Sequence, residues 1–220
     1  GFASGRRIES RAFFEAEAPR QVCVELPEEV LTLEEKSLDL VGFLKMSLYG
    51  TRDAAANWSE EYTERFLAVG FNAGIASPCV FYHRERGLRA YIHGDDFVVV
   101  GMPAQLKWMQ DRLEDKYELT VEVLGPGKDQ VKEVRVLNRI IRWTKEGIEY
   151  EADPRHVEIL INEMGLNESN SVKTPGVKDR ERDENNEQPL DRAEASLYRS
   201  CVARANYLAQ DRADIAYAVK

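Results

Sequence analysis

Two adjacent carboxylates, Asp95 and Asp96, stand behind Gly94 in the stretch YIHGDDFVVVG (residues 91–101), with apolar residues on both sides. Two like charges side by side admit two readings. In one, they decorate a solvated turn between two strands. In the other, they gather a divalent cation. Mg²⁺ takes oxygen ligands and keeps positions open for phosphate oxygens. A pair of such ions can activate a hydroxyl nucleophile and stabilise a leaving pyrophosphate. That chemistry needs at least one further carboxylate, from a neighbouring strand.

The elements that must position these carboxylates are legible in the pattern. Residues 89–92 and 97–100 are β-branched or aromatic runs about a Gly-Asp centre, which predicts a hairpin with the two aspartates at its tip. Residues 79–83 read as a buried strand, and Val22, Val24 and Leu26 alternate with polar neighbours up to Pro27, as in a short strand. Two helices are expected nearby. Residues 55–69 place Trp58, Tyr62 and Phe66 on one face, with Leu67 beside them, and Gly70 suits the stop. Pro103 opens the second, with Leu106, Met109, Leu113 and Tyr117 on one stripe. Further on, residues 131–143 and 147–150 read as two strands around Thr-Lys-Glu-Gly. Asp153-Pro154 then caps a helix with Val157, Leu160, Ile161 and Met164 inward and Gly165 as its stop. Residues 167–191 turn polar, and helical periodicity resumes around Leu197 and runs to the end. Strands and helices mix without regular βαβ alternation, so the expected class is α+β.

Composition narrows the options. With 220 residues, 43% of them hydrophobic, the chain can bury a core. A net charge of −9 opposes phosphate-rich partners unless basic residues are locally concentrated. Cys23, Cys79 and Cys201 are odd in number and lack CxxC spacing, which argues against a disulfide framework or a zinc site and for a reducing compartment. No apolar run is long enough to span a bilayer. The opening GFASGRRIES lacks a signal-peptide pattern, and both termini are expected to be cut edges of a longer protein.

The order of motifs is more specific than any one of them. KMSLYGTRDAAANW (residues 45–58), then GFNAGIASPCVFY, then YIHGDDF resemble successive segments of the copia-type (Ty1/copia) retrotransposon reverse transcriptases: LYGLKQAPRAW, GF...DPCLF and Y-V-D-D. Downstream, EVRVLNRIIRW, YEADPRHVEILINEMGL followed by TPG, and YRSCVARANYLAQDRADIAYAV resemble further segments of that family in the same order. Upstream, SRAFFEAEAPRQVCVELPEE resembles its D-V-x-x-A-F-L segment and the strand after it. The resemblance covers nearly the whole chain.

What it implies can be placed residue by residue. The fold would be a polymerase palm, an antiparallel sheet backed by helices, followed by a thumb- or connection-like hairpin and helices. Asp95 and Asp96 fall on the family's adjacent metal-site aspartates, which hold two Mg²⁺ ions for transfer of a nucleotide onto a primer 3′-end. Phe13 falls on the aromatic that stacks under the incoming sugar, or is a core aromatic in a strand. Tyr49, Gly50 and Arg52 fall in the segment that packs against the templating base and nucleotide, and Arg52 has an ordinary surface position as its alternative. The implied partners are an RNA or DNA template-primer, dNTPs, and polyprotein domains such as integrase and RNase H; no membrane is implied. The expected setting is intracellular, cytoplasmic or nuclear.

Two departures bear on activity. The family's first catalytic aspartate lies five residues before the stacking aromatic, which here is Ile8, a residue that cannot ligate a metal. Glu9 is adjacent, but neighbours on a strand point to opposite faces, so only a bulge would aim it at the site. His93 stands where the family has the Tyr of Y-x-D-D. A histidine there would either respond to the two carboxylates or reflect lineage variation at a tolerant position. Asn138 and Ala213 replace a Gly and a Pro of the family pattern in the same way. The expected organisation is a partial fingers and palm region at 1–125, a thumb- or connection-like hairpin and helix at 126–166, an acidic linker at 167–194, and a helical segment at 195–220. Family membership and activity of this copy are separate matters: the alternative to an enzyme is a non-catalytic remnant that keeps the palm. A palm-type nucleotide cyclase with a GG(D/E)EF hairpin is a third reading, but it would lack the LYGTRDAAANW and DIAYAV segments.

Overall fold

The computed structural model describes residues 12–38, 40–172, 174 and 188–219, and the backbone alone of residues 2–7. The expectations at Ile8 and Glu9, and much of the expected acidic linker, including residues 179–187, lie outside the described residues. The architecture is α+β, with antiparallel sheets and four α-helices among the described residues. It divides into two compact units, Gly1–Lys132 and Glu133–Lys220.

The first unit is built on a six-stranded sheet. Its strands are β1 (Phe2–Arg7), β4 (Asn72–Ala73), β5 (Val80–His83), β6 (Leu88–His93), β7 (Asp96–Gly101) and β8 (Thr120–Val121). In space the order is β4-β5-β6-β7-β1-β8, every neighbour antiparallel. Burial alternates along β5, β6 and β7, as it must where only one face of a sheet is covered. The covered face carries Phe81, Leu88, Ala90, Ile92, Phe97 and Val99. Helices α1 (Ala54–Ala68) and α2 (Pro103–Glu114) lie in the same core through Trp58, Tyr62 and Phe66, and through Leu106, Met109 and Leu113. The other face holds Val80, Tyr82, Arg89, Tyr91, Val98 and Val100 at intermediate or high exposure. A separate ribbon pairs β2 (Cys23–Glu25) with β3 (Val41–Phe43).

The end of α1 shows how local sequence fixes the packing. Gly70 sits at φ 95°, a conformation that costs glycine little. Its N–H donates to the Leu67 carbonyl and the Phe71 N–H to the Phe66 carbonyl, both at 3.0 Å, which is a Schellman stop. The Phe66 and Phe71 rings then meet at 4.9 Å, the hydrophobic contact that accompanies such a stop. Leu67, expected beside the inward stripe, is 49% exposed because it follows Phe66 by about 100° around the helix. Tyr117 is buried as expected, but it lies beyond the last residue of α2.

The second unit pairs β9 (Glu133–Val136), β10 (Arg139–Trp143) and β11 (Ile148–Glu151) as a three-stranded antiparallel sheet. The single strand expected over 131–143 is therefore a hairpin. Leu137 and Asn138 form its two-residue loop at φ 48° and 66°, the double positive φ of a I′ turn. Asp153, 3% exposed, caps α3 (Pro154–Glu163) by accepting the Arg155 N–H at 3.1 Å. Val157, Leu160 and Ile161 are half-buried, whereas Met164 is 55% exposed at the cap and corrects the expectation that it faces inward. Asp191 and Glu194 form a capping box for α4 (Arg192–Ala209), which packs on α3. Helical structure does not run to the end as expected. Past Ala209 the chain continues in turns, with the Ile215 N–H on the Arg212 carbonyl at 3.2 Å.

Leu137 tests the hairpin. A left-handed backbone costs a branched L-residue about 1–2 kcal/mol, and asparagine less. Leu137→Asn should therefore stabilise the second unit by about 1 kcal/mol, read as a higher urea midpoint with an unchanged slope. A lower midpoint would mean that the leucine side chain makes a contact worth more than the strain.

Candidate active site

The two aspartates lie where β6 turns into β7. His93 and Asp96 close the ladder as its last pair, so Gly94 and Asp95 form a two-residue loop. Gly94 takes φ 58°, and Asp95 is absent from the positive-φ residues, the sign pattern of a II′ turn with glycine first. Asp96 is the first residue of β7 and alternates with the buried Phe97, which places it on the uncovered face. Both aspartates are half-buried. On the other side of β7, the β1 ladder ends in the pair Arg7 and Asp96, so position 8 follows directly in the chain after the residue opposite Asp96.

The turn is held from below. The Trp58 indole Nε1 donates to the Gly94 carbonyl at 2.8 Å. Trp58 is 1% exposed and meets Tyr62, Phe97 and Tyr117 edge-on, at centroid distances of 5.6, 6.1 and 5.3 Å. Tyr117 donates to Glu61 Oε1 at 3.3 Å, and Lys116 pairs with the same carboxylate. Burial, reinforced by the Glu61 carboxylate, pushes the Tyr117 hydroxyl above its ordinary range, so it stays protonated as a donor. An apolar and aromatic stack thus runs from α1 to the turn that carries the aspartates. Sequence reasoning placed Trp58 on a core face and missed this second role. Its position thirteen residues after Lys45, at the end of the quoted motif, was the available signal.

Other site candidates form a second cluster. Phe13 belongs to a 3₁₀ turn, Ala12–Glu15, rather than to a strand, and this corrects one of its two expected settings. Its ring lies 4.4 Å from that of Tyr49, with Phe14 edge-on to Tyr49 at 5.6 Å. Gly50, at φ 90°, stands third in the turn closed by the Thr51 N–H on the Leu48 carbonyl at 3.0 Å. The 3₁₀ turn packs on α1, and Ser47 links the two segments further. Its N–H donates to the Ala16 carbonyl at 2.8 Å, and its hydroxyl accepts from Asn57 Nδ2 of α1 at 3.0 Å. Helix α1 is therefore the common support of the Phe13–Tyr49 pair and of the aspartate turn. Arg52 is exposed and has no hydrogen bond or ion pair among the described residues. His93 is exposed, with its Nδ1 3.5 Å from the Tyr91 hydroxyl and the two rings roughly parallel at 6.4 Å.

For Mg²⁺ the donor set is right in kind and short in number. Asp95 and Asp96 offer hard oxygen ligands on a braced turn. Among the described residues no group of three acidic, histidine or cysteine side chains converges on one point. No described helix is long and apolar enough to cross a membrane. No protein-family model matches the chain, and no curated protein matches it.

Proposed function

We propose that this chain is the palm-bearing part of a copia-type retrotransposon reverse transcriptase, an RNA-directed DNA polymerase that extends a primer 3′-end. The observation that carries the reading is the Asp95–Asp96 turn on an antiparallel sheet with one uncovered face, two helices on the other, and the Trp58 indole of the LYG...W segment bonded to that turn at 2.8 Å. Segments matched by motif order alone thus meet in space. In this reading the first unit is the palm with part of the fingers, and the second supplies the thumb- or connection-like region.

The residues then divide the work. Asp95 and Asp96 are the carboxylates that hold Mg²⁺, with the turn fixed so that they need not reorganise. Bound Mg²⁺ would supply charge neutralisation of the phosphates and activation of the primer hydroxyl. Phe13, braced by Tyr49, offers a ring beneath a nucleotide sugar. Gly50 leaves open space where a Cβ would stand, since no atom lies within 4 Å of that position. Tyr82, Arg89 and Tyr91 give the uncovered face stacking and cationic groups suited to a nucleic-acid backbone and bases. Ile8 favours the second reading, a remnant that keeps this architecture without turnover, because it leaves the site one carboxylate short.

Extension of a DNA primer on an RNA template, assayed beside GTP cyclisation, tests the proposal. The Ile8→Asp chain, extended by the upstream region that the family resemblance implies, should yield Mg²⁺-dependent extension and no cyclic product. A cyclic nucleotide product without extension would assign the aspartates to a cyclase instead.

A further inference from the structure

At the other end of β6 from the aspartate turn, the β5–β6 loop borders an open pocket of about 500 Å³. His83, Arg84, Glu85 and Arg86 form one wall, with Trp108 of α2 and Gly70 after α1 on the others. His83 is 6% exposed. Its Nδ1 accepts the Arg86 backbone N–H at 3.4 Å, which puts the proton of the neutral ring on Nε2. That N–H has no hydrogen-bond partner among the described residues, yet it is not sealed from solvent. A Cβ at Gly70 would stand 3.0 Å from Nε2, so glycine there lets the chain pass close to the ring without pressing a side chain onto it.

Arg86 is fixed beside it. Its guanidinium lies 3.7 Å above the Trp108 ring centroid, and its Nη1 donates to Gln105 Oε1 at 2.8 Å. The remaining Arg86 N–H groups make no hydrogen bond among the described residues, and Arg84 is exposed and without an ion pair there. The side chains around the pocket therefore carry mostly unused donors: the solvent-reachable Nε2–H of a largely buried imidazole and two guanidiniums, set against one carboxylate, Glu85.

We propose that this pocket binds a small phosphate-bearing anion, held by His83 Nε2, Arg84 and Arg86. Guanidinium groups pair with phosphate oxygens in a fork, and stacking on Trp108 removes much of the ordering cost for one of them. A tetrahedral oxyanion presents acceptors to donors on several sides, which a planar carboxylate does less well. The carbonyl end of α1 borders the pocket and adds partial negative charge. Affinity for inorganic phosphate alone should accordingly be modest, with Kd on the order of 1 mM. The site stands apart from the proposed polymerase centre. Strand β6 is six residues long, which separates the two by roughly 20 Å.

Titration of the intact chain with inorganic phosphate, followed by the imidazole ¹⁵N signals, tests this. A saturable shift of the His83 signals is expected, with those of His93 and His156 unmoved. Arg84→Gln and Arg86→Gln should each weaken binding about tenfold. Asp95→Ala should leave it unchanged. Acetate at matched ionic strength should bind more weakly than phosphate. Arg84 is exposed, so a folded Arg84→Gln chain reports on binding rather than on stability. Equal shifts at all three histidines, no saturation, unaltered binding by both arginine variants, or tighter binding of acetate would each overturn the proposal.

Discussion

Trp58→Ala should destabilise the first unit by about 3–5 kcal/mol, a large part of what a domain of this size has. The indole is buried to 1% exposure among Tyr62 of α1, Phe97 of β7 and Tyr117 after α2, so the cavity cannot close by one side chain moving. Trp58→Phe separates packing from positioning. It keeps most of the ring and removes the N–H that reaches the Gly94 carbonyl at 2.8 Å. Gly94 is exposed, so water can replace the lost donor, and the hydrogen bond itself should cost only about 1 kcal/mol. The larger effect should be local. Amide exchange at residues 95–97 should quicken by more than the global loss of stability accounts for, while the β5–β6 amides follow the global change. Exchange at the turn that tracks global stability in Trp58→Phe would show that Trp58 packs the core and does not hold the aspartates in place.

The sequence disclosed these elements unevenly, and the reasons are physical. Helix α1 was legible because Trp58, Tyr62 and Phe66 recur at the helical spacing and Gly70 provides the stop. The β6–β7 hairpin was legible because apolar alternation on both sides of Gly-Asp leaves few other options. Strand β1 was not. FASGRR has no alternation and little β propensity, and its strand state comes from lying between β7 and β8. The Leu137–Asn138 turn was hidden because leucine is a poor residue at positive φ, so the usual Asn-Gly or Asp-Gly signal is missing. Of the candidate site, the aspartates and the Phe13–Tyr49 pair were named from sequence, and their contacts were not. A bond between residues 36 apart, such as Trp58 to Gly94, leaves no periodic trace in a single chain.

Ile8→Asp should raise Mg²⁺-dependent primer extension by about 100-fold or more, in a chain that includes the upstream sequence implied by the family resemblance. The Asp95–Asp96 turn already has rigid support, so the missing element in the proposed site is a carboxylate, and position 8 follows the residue paired with Asp96. An aliphatic side chain at that position supplies no oxygen ligand for Mg²⁺, the ion that would neutralise charge on a phosphoryl group. Aspartate would supply it with little cost in volume. Within the Ile8→Asp chain, Asp95→Ala should return extension to background, as should chelation of Mg²⁺, because a site of three carboxylates works as a unit and loses nearly everything with one. The unfolding free energy of Asp95→Ala, from urea titration, should stay within about 0.5 kcal/mol of its parent, since Asp95 is a half-buried loop residue. Loss of activity without loss of fold is the expected signature. Extension by the Ile8 chain that is already strong and indifferent to Asp95→Ala would place the chemistry elsewhere. An Ile8→Asp chain that binds template-primer yet stays inert would favour the remnant, a palm whose other parts have drifted beyond repair by one carboxylate.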